Sequence, residues 1–437
     1  QQVAQAGWSP VLFRVMQGIT AYLPVGSVIF FIFLLLSGLH FNHLFPWLDP
    51  EVVAEDKLIQ NKAGYLNFPF WIIRAAIFLL GWNLYRYFSR KNCLAQDESN
   101  DNSFYKKNFN ISAMFLVFFI VTESIMSWDW IMSLDPHWFS TLFGWYVFAS
   151  FFVSGITTIC MVTLYLKGKG YLEHVNTSHI HDLAKFMFGI SVFWTYLWFD
   201  QFMLQWFANI PEETSFWVKR FGEGYFKFTI FGALLINFFF PLFFLIKRGA
   251  KRNFKMIGFG AALLIFGHYV DFFNFVFIEP NWNHSLEHHH GAKSHEEAKL
   301  NSGEVVLYAQ NAEHEKGGVS SDASASEAAH VDATTEVVKE ESAATAGEDH
   351  DKNAHGASKG EHEHELGEPH NGGHEATAHG HEVPEKNFAS INIGEILVFI
   401  GFLGLFLYAF FHNLAKRPII MENDPYLKEA EKLVSSE

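Results

Sequence analysis

An all-α, polytopic membrane fold is predicted by three observations. Apolar runs of about 20 residues, rich in the chain's 49 phenylalanines, recur along the sequence, each long enough to cross ~30 Å of hydrocarbon. Lys and Arg in the short connections collect at one end of those runs. One long tract, 280–390, contains no such run and consists mainly of His, Glu, Ala, Gly and Ser.

Eight spanning helices are predicted, at about 17–39, 66–89, 111–134, 139–166, 183–208, 225–247, 256–278 and 391–413. Pro24 and Pro241 fall inside two of them, where neighbouring helices can satisfy the freed carbonyl, and kinks are expected there. The third and fourth helices are joined only through Asp135-Pro136-His137-Trp138, so they must be antiparallel neighbours. With the loops alternating between ends, 18 Lys and Arg fall at one end and 5 at the other. That asymmetry places the basic end and the C-terminus in the cytoplasm and puts loops 40–65, 135–138, 209–224 and 280–390 outside. Trp47, Trp71, Trp138, Trp206 and Trp217 lie near the outer ends, as an aromatic belt would. The chain therefore divides into a cytoplasmic segment 1–16, helices one to seven over 17–279, a periplasmic loop 280–390, an eighth helix 391–413 and a cytoplasmic tail 414–437.

The formal net charge of −15 belongs to the long loop alone, which holds 22 Asp and Glu against 7 Lys and Arg. The loop also carries 15 of the 23 histidines and almost no aromatic residues, too little apolar surface to fold by itself. Metal scavenging by clusters such as His288-His289-His290 is one reading of it; a solvated tether is the plainer one. Cys93 and Cys160 form no CxxC or CxxCH, which argues against a c-type haem, an iron–sulfur cluster or a structural zinc held by this chain. No glycine-rich phosphate motif and no basic stripe for nucleic acid is present.

The informative residues are ionisable groups inside the apolar runs. A charge at the bilayer centre costs at least ~2.5–3.5 kcal/mol, so such residues mark an ion, proton or substrate path, or a buried pair. Arg74 lies in the second helix, Glu123 and Asp129 in the third, Asp200 in the fifth, and His268 and Asp271 in the seventh. At ~1.5 Å per residue, Glu123 and His268 fall near the midplane, and Arg74, Asp129, Asp200 and Asp271 in the outer half. His268, Asp271 and Asn274 step at i, i+3 and i+6 along one side of their helix. Histidine titrates near neutrality and an adjacent carboxylate tunes it, which suits a relay; a core histidine held by Asp271 is the alternative. Arg74 is the only arginine deep within a predicted span and the natural counter-charge for Asp129, Asp200 or Asp271. Together these groups resemble a half-channel opening outward, with His137 and Glu395 as candidates for its mouth. A b-type haem needs two facing axial ligands at one depth, and His268 has no midplane partner.

Three stretches carry a family resemblance: WSPVLFRVMQGITAYLP (8–24), TESIMSWDWIMSLDPHWFSTLFGWYVFASFFVSG (122–155) and HYVDFFNF (268–275). They resemble the second polysulfide-reductase-like, quinone-oxidoreductase-type membrane component of bacterial alternative complex III. The resemblance implies a bacterial inner-membrane subunit of a quinol:cytochrome c (or other periplasmic acceptor) oxidoreductase. It implies partners: a C-like membrane subunit with the favoured quinol site, an iron–sulfur subunit and multihaem cytochrome subunits, which hold the haem and iron–sulfur clusters. It implies no metal cofactor in this chain and leaves a quinone open. Members of that branch have ten spanning helices in two four-helix bundles, so two helices are expected upstream of Gln1. Carried over, Glu123, Asp129, Asp200, His268 and Asp271 match the polar interior and form the expected proton path. A scaffold with static buried pairs, a second quinone-binding subunit and an independent proton-coupled transporter are the competing readings.

Overall fold

Prolines and caps set where these helices begin and break. The computed structural model describes residues 2–221, 225–277, 393–416, 418–421 and 423–432. Long helices dominate them, and no strand occurs among the described residues. The loop expected over 280–390 lies outside them.

Helix α1 (Pro10–Gly38) is segmented. A short α-helical stretch, Phe13–Ile19, gives way to a 3₁₀ turn at Thr20–Tyr22, and Pro24 sits in the first turn of the long segment Leu23–Gly38. The expected break at Pro24 is therefore real: a proline cannot donate its backbone hydrogen bond, and the tighter turn absorbs the loss. Helix α2 (Phe68–Asp97) starts where the Asn67 side chain accepts from the Phe70 N–H at 3.1 Å. Helix α3 (Ser103–Trp130) packs antiparallel to α2 and continues into a 3₁₀ turn, Met132–Leu134.

Helix α4 (Phe143–Gly168) follows α3 through the Asp135–Trp138 turn and packs against it, as the short connection requires. Helix α5 (Thr177–Ala208) returns along α4. Asn176 and His179 close its first turn reciprocally: Asn176 Oδ1 accepts from Ser178 N–H at 2.8 Å, and His179 Nδ1 accepts from Asn176 N–H at 3.1 Å. A short helix, α6 (Pro211–Phe221), precedes α7 (Tyr225–Leu234). The chain then continues through two π-helical turns, Leu235–Phe239 and Pro241–Leu245. The second begins at Pro241, so the other expected kink takes the form of a wide turn. Helix α8 (Phe254–Phe277) packs on α4 and on the π-helical region. Helix α9 (Ile393–Leu414) lies on the start of α1.

Seven of these elements are long and apolar enough to cross a membrane, so the chain is a multi-pass membrane protein. The expected fifth span, α5, is 32 residues long but less apolar than the other seven. Three tryptophans and the polar residues Ser191, Thr195, Asp200, Gln201 and Gln205 lower its hydropathy. Ser191, Gln201 and Gln205 are buried against the protein, so that polarity points inward.

The connections at the end away from the basic loops differ from a simple aromatic belt. Trp47, Trp71, Trp138 and Trp217 are buried, and only Trp206 of the five is exposed. Trp47, Trp71 and Phe45 meet edge to face at 5.0–6.0 Å, and Trp138 stacks on Phe216 at 3.8 Å. The segment expected as an outer loop at 209–224 instead contains α6, which turns Phe216, Trp217 and Arg220 inward. These rings cap the bundle because each buries a large apolar area, and the indole N–H groups of Trp71, Trp138 and Trp217 find partners. Trp217 Nε1, for one, donates to Gln205 Oε1 at 2.6 Å.

Helix α8 meets the π-helical region closely at Gly267, where any Cβ would collide with Asn237 Oδ1 and with Ile236 Cγ2 at 2.5 Å. Replacing Gly267 by Leu is expected to cost about 1–3 kcal/mol through overpacking. Gly258→Ala, whose new methyl meets only Leu164 at 3.7 Å, is expected to be nearly neutral. Thermal unfolding of the two variants in detergent checks the contrast, and equal midpoints would refute the packing described.

Candidate functional site

The buried polar residues settle into three separate places. The first joins α2 to α3. Arg74 grips Asp129 with two parallel hydrogen bonds, Nε to Oδ2 at 2.7 Å and Nη2 to Oδ1 at 2.9 Å. Tyr65 OH donates to Asp129 Oδ1 at 2.8 Å, and the Tyr65 carbonyl accepts from both terminal guanidinium nitrogens at 3.3 Å. The rings of Tyr65 and Phe70 cover the guanidinium at 4.1 and 4.2 Å. Even the Asp129 backbone is held, its carbonyl accepting from Trp71 Nε1 at 3.0 Å and Ser133 Oγ at 2.6 Å. Asp129 is wholly inaccessible. A bidentate pair of this kind, with both carboxylate oxygens engaged by donors, is rigid and leaves neither oxygen turned to an open space. Of the three acids open to Arg74 on depth alone, the fold pairs it with Asp129.

The second place lies between α4, α5, α6 and α8. Tyr146 OH donates to Asp271 Oδ1 at 2.6 Å, and Ser150 Oγ contacts His268 Nδ1 at 2.8 Å. The Trp194 ring stands edge-on to the imidazole at 5.3 Å between centroids. Tyr146 and Ser150 are one turn apart on α4, and His268 and Asp271 almost one turn apart on α8. The two helices thus face each other through two hydrogen bonds in register. Asp271 Oδ2, His268 Nε2, Asn274 Oδ1 and Gln201 Nε2 are buried without a hydrogen-bond partner among the described residues. Asp271, Asn274, Gln201 and Arg220 line one cavity of about 20 Å³. That is room for a single water, which needs two to four polar neighbours of this kind.

Arg220 is a candidate that the sequence reading did not single out. It falls in what reads as an outer loop, yet it is 4% exposed and shares the cavity with Asp271. Its guanidinium lies 3.3 Å from the centre of the Phe216 ring and donates to the Phe216 carbonyl at 3.1 Å. The signal lay in the spacing Phe216, Trp217, Arg220, Phe221, a helical stripe inside that apparent loop.

The third place holds Glu123. Its side chain is 3% exposed, and Oε1 has no partner among the described residues. It faces a cavity of about 560 Å³ whose other walls are nearly all apolar, among them Phe119, Ile120, Trp145, Phe148 and Phe152. Helix α4 stands between this cavity and His268, presenting Trp145 and Phe148 to one and Tyr146 and Ser150 to the other. Glu123 and His268 share a depth and not a site.

The remaining candidates lie apart. Asp200 is half-buried beside Gln201 and is not among the residues lining the Asp271 cavity. His137 is exposed and pairs with Asp56, whose carboxylate also caps the helix Lys57–Lys62 by accepting from Leu58 and Ile59 N–H at 2.8 and 3.2 Å. Burial tends to raise the Asp56 pKa, but those N–H donors and His137 together hold it below the usual carboxylate range. The Glu395 side chain lies outside the described residues. Among the described residues no three His, Cys, Asp or Glu side chains come together as metal ligands would.

No family model and no curated protein matches the chain.

Breaking the Arg74–Asp129 pair from either side leaves a buried charge without its partner. Arg74→Gln and Asp129→Asn are each expected to cost about 3–5 kcal/mol. The double variant is expected to cost clearly less than the sum, with a coupling of about 0.5–3 kcal/mol. Denaturant unfolding in detergent checks this, and additive losses would show that the two side chains do not act as a unit.

Proposed function

We propose that this multi-pass membrane protein is a subunit of a respiratory quinol oxidoreductase of the alternative complex III type, and that Asp271 with His268 is its proton-holding station. One observation carries this reading. The sequence stretches that resemble that family, 122–155 and 268–275, supply the carboxyl groups of all three buried polar places: Glu123, Asp129 of the clamp, and Asp271 of the station, with Tyr146, Ser150, His268 and Asn274 around it.

The chemistry follows from the atoms present. Asp271 has one oxygen fixed by Tyr146 and the other turned to a water-sized cavity, so a proton can reach Oδ2 without disturbing the Tyr146 contact. Asn274 and Gln201 offer an acceptor and a donor to orient a water there. Arg220 supplies the positive charge whose approach or withdrawal changes whether Asp271 holds a proton. Because Arg220 rides on α6, a shift of that short helix during quinol oxidation in a partner subunit would alter the balance. In this reading Asp129 is structural, the basic end faces the cytoplasm, and the membrane is the bacterial inner membrane. Haem and iron–sulfur clusters belong to partner subunits.

A second reading is favoured at Glu123 alone. An apolar cavity of several hundred Å³ with one carboxyl on its wall suits a quinone ring whose oxygen meets Glu123. Labelling by a photoreactive quinone that Glu123→Gln abolishes would support it.

In the assembled complex reconstituted in vesicles, Asp271→Asn is expected to lower protons released per electron while leaving subunit composition and quinol oxidation near wild type. The change keeps the Tyr146 acceptor and the side-chain shape. An unchanged proton-to-electron ratio would remove Asp271 from any path. A variant complex that fails to assemble would instead assign Asp271 to the scaffold.

A further inference from the structure

We propose that the groove along the start of α5 is a binding site for one anionic phospholipid, its headgroup held by Lys185, Lys251 and Arg252 and an acyl chain lying along Phe186, Gly189 and Ile190. The groove encloses about 630 Å³ and is lined by Asp182, Lys185, Phe186, Gly189 and Ile190 of α5 and by Trp8. The 3₁₀ turn Ala250–Arg252 packs on the same helix and carries two further cations to it. Lys251 Nζ lies 5.7 Å from the centre of the Phe188 ring, less than one turn along α5 from Lys185.

Charge here is one-sided. Lys185 Nζ donates to Asp182 Oδ1 at 3.0 Å, and Asp182 is the only carboxylate lining the groove among the described residues. Three permanent cations from two elements thus share one acid. Burial and then the Lys185 charge lower the Lys251 pKa from the ordinary lysine value. Burial, Lys185, Lys251 and Arg252 likewise lower that of His181, and Asp182 alone opposes them. His181 is 5% exposed, and its Nδ1 has no hydrogen-bond partner among the described residues; the nearest acid oxygen, Asp182 Oδ1, stands 3.9 Å away. A bound anion removes the repulsion among these groups.

Depth and lining select a lipid over a soluble anion. Lys185 stands roughly 30 Å along α5 from Gln205, whose side chain accepts from the capping Trp138 and Trp217 at the opposite end. That matches one hydrocarbon thickness of ~30 Å, which puts the ammonium at headgroup level and Phe186, Gly189 and Ile190 at acyl-chain level. The rings of Trp8 and Phe186 meet at 5.8 Å and form an apolar wall. Gly189 is exposed, and a Cβ there would meet no atom within 4 Å, so the floor of the groove is open. A soluble phosphate would leave these surfaces unused, and a zwitterionic headgroup would bring its own cation beside three others.

Native mass spectrometry of the full chain in mild detergent, titrated with phosphatidylglycerol and with phosphatidylcholine of the same acyl composition, tests the proposal. One phosphatidylglycerol is expected to survive activation that strips phosphatidylcholine. The Lys251→Gln/Arg252→Gln variant, which leaves the Lys185–Asp182 pair intact, is expected to bind it at least about tenfold more weakly. Gly189→Trp fills the groove and leaves every charge in place; it is expected to weaken binding by at least about tenfold, the worth of roughly two displaced methylenes. Either variant serves if the other does not fold. The Lys106→Gln/Lys107→Gln variant, altered at exposed positions of α3 at the same end, is expected to bind as wild type. Equal retention of both lipids, wild-type retention in either groove variant, an equal loss in the α3 variant, or displacement of the lipid by millimolar inorganic phosphate would each overturn the proposal.

Discussion

Hydrocarbon offers no hydrogen bonds, so every polar group carried into it must be answered from within the protein. The Arg74–Asp129 clamp shows what a complete answer requires. Two guanidinium bonds, a tyrosine hydroxyl, an indole N–H, a serine hydroxyl and two ring faces converge on one acid and one base from α2, α3 and the connection before α2. Trp71 reaches Asp129 from within α2, and the Tyr65 hydroxyl reaches it from the chain between α1 and α2, which folds down over the bundle. The buried cluster of Phe45, Trp47 and Trp71 is the apolar side of the same arrangement. The cap over this end is thus bound up with satisfying Asp129.

The His268–Asp271 site answers the same requirement incompletely, and the contrast gives the two sites different capacities. At Asp129 each oxygen is engaged by rigid donors. At Asp271 one oxygen is engaged and the other opens on a space the size of a water, beside an arginine carried on a short, separate helix. A site of the first kind stabilises; a site of the second kind can exchange a proton. Glu123 belongs with neither, because α4 turns an aromatic face toward it and a polar face toward His268. The five acidic and imidazole groups aligned by depth are therefore not gathered in one place, and the proposed proton-holding role contracts to the α4–α8 contact.

Much of this was legible in the sequence. Run lengths gave the helices, Pro24 and Pro241 gave the breaks, and depth counting put Arg74 level with Asp129. Depth is, however, a coordinate along the helix only. It does not say which way a side chain points around the axis or which helix stands next to it, so Glu123 and His268 looked like one site and Arg74 had three possible partners. The tryptophans resembled a belt for the same reason: position near a helix end does not distinguish a ring facing lipid from one packed under a folded connection. Arg220 stayed hidden because eleven residues between two long helices read as a loop, although their aromatic and basic residues repeat at helical spacing.

Infrared difference spectroscopy on the proposed complex during quinol-driven turnover tests the central distinction most directly, because protonated and ionised carboxyl groups absorb separately. A carboxyl band that appears and disappears with turnover, vanishes in Asp271→Asn and persists when Asp200 or Glu123 is replaced is the predicted result. A turnover-dependent band that persists in Asp271→Asn and is lost on replacing Asp129 would contradict it, since the clamp would then be the group that exchanges the proton.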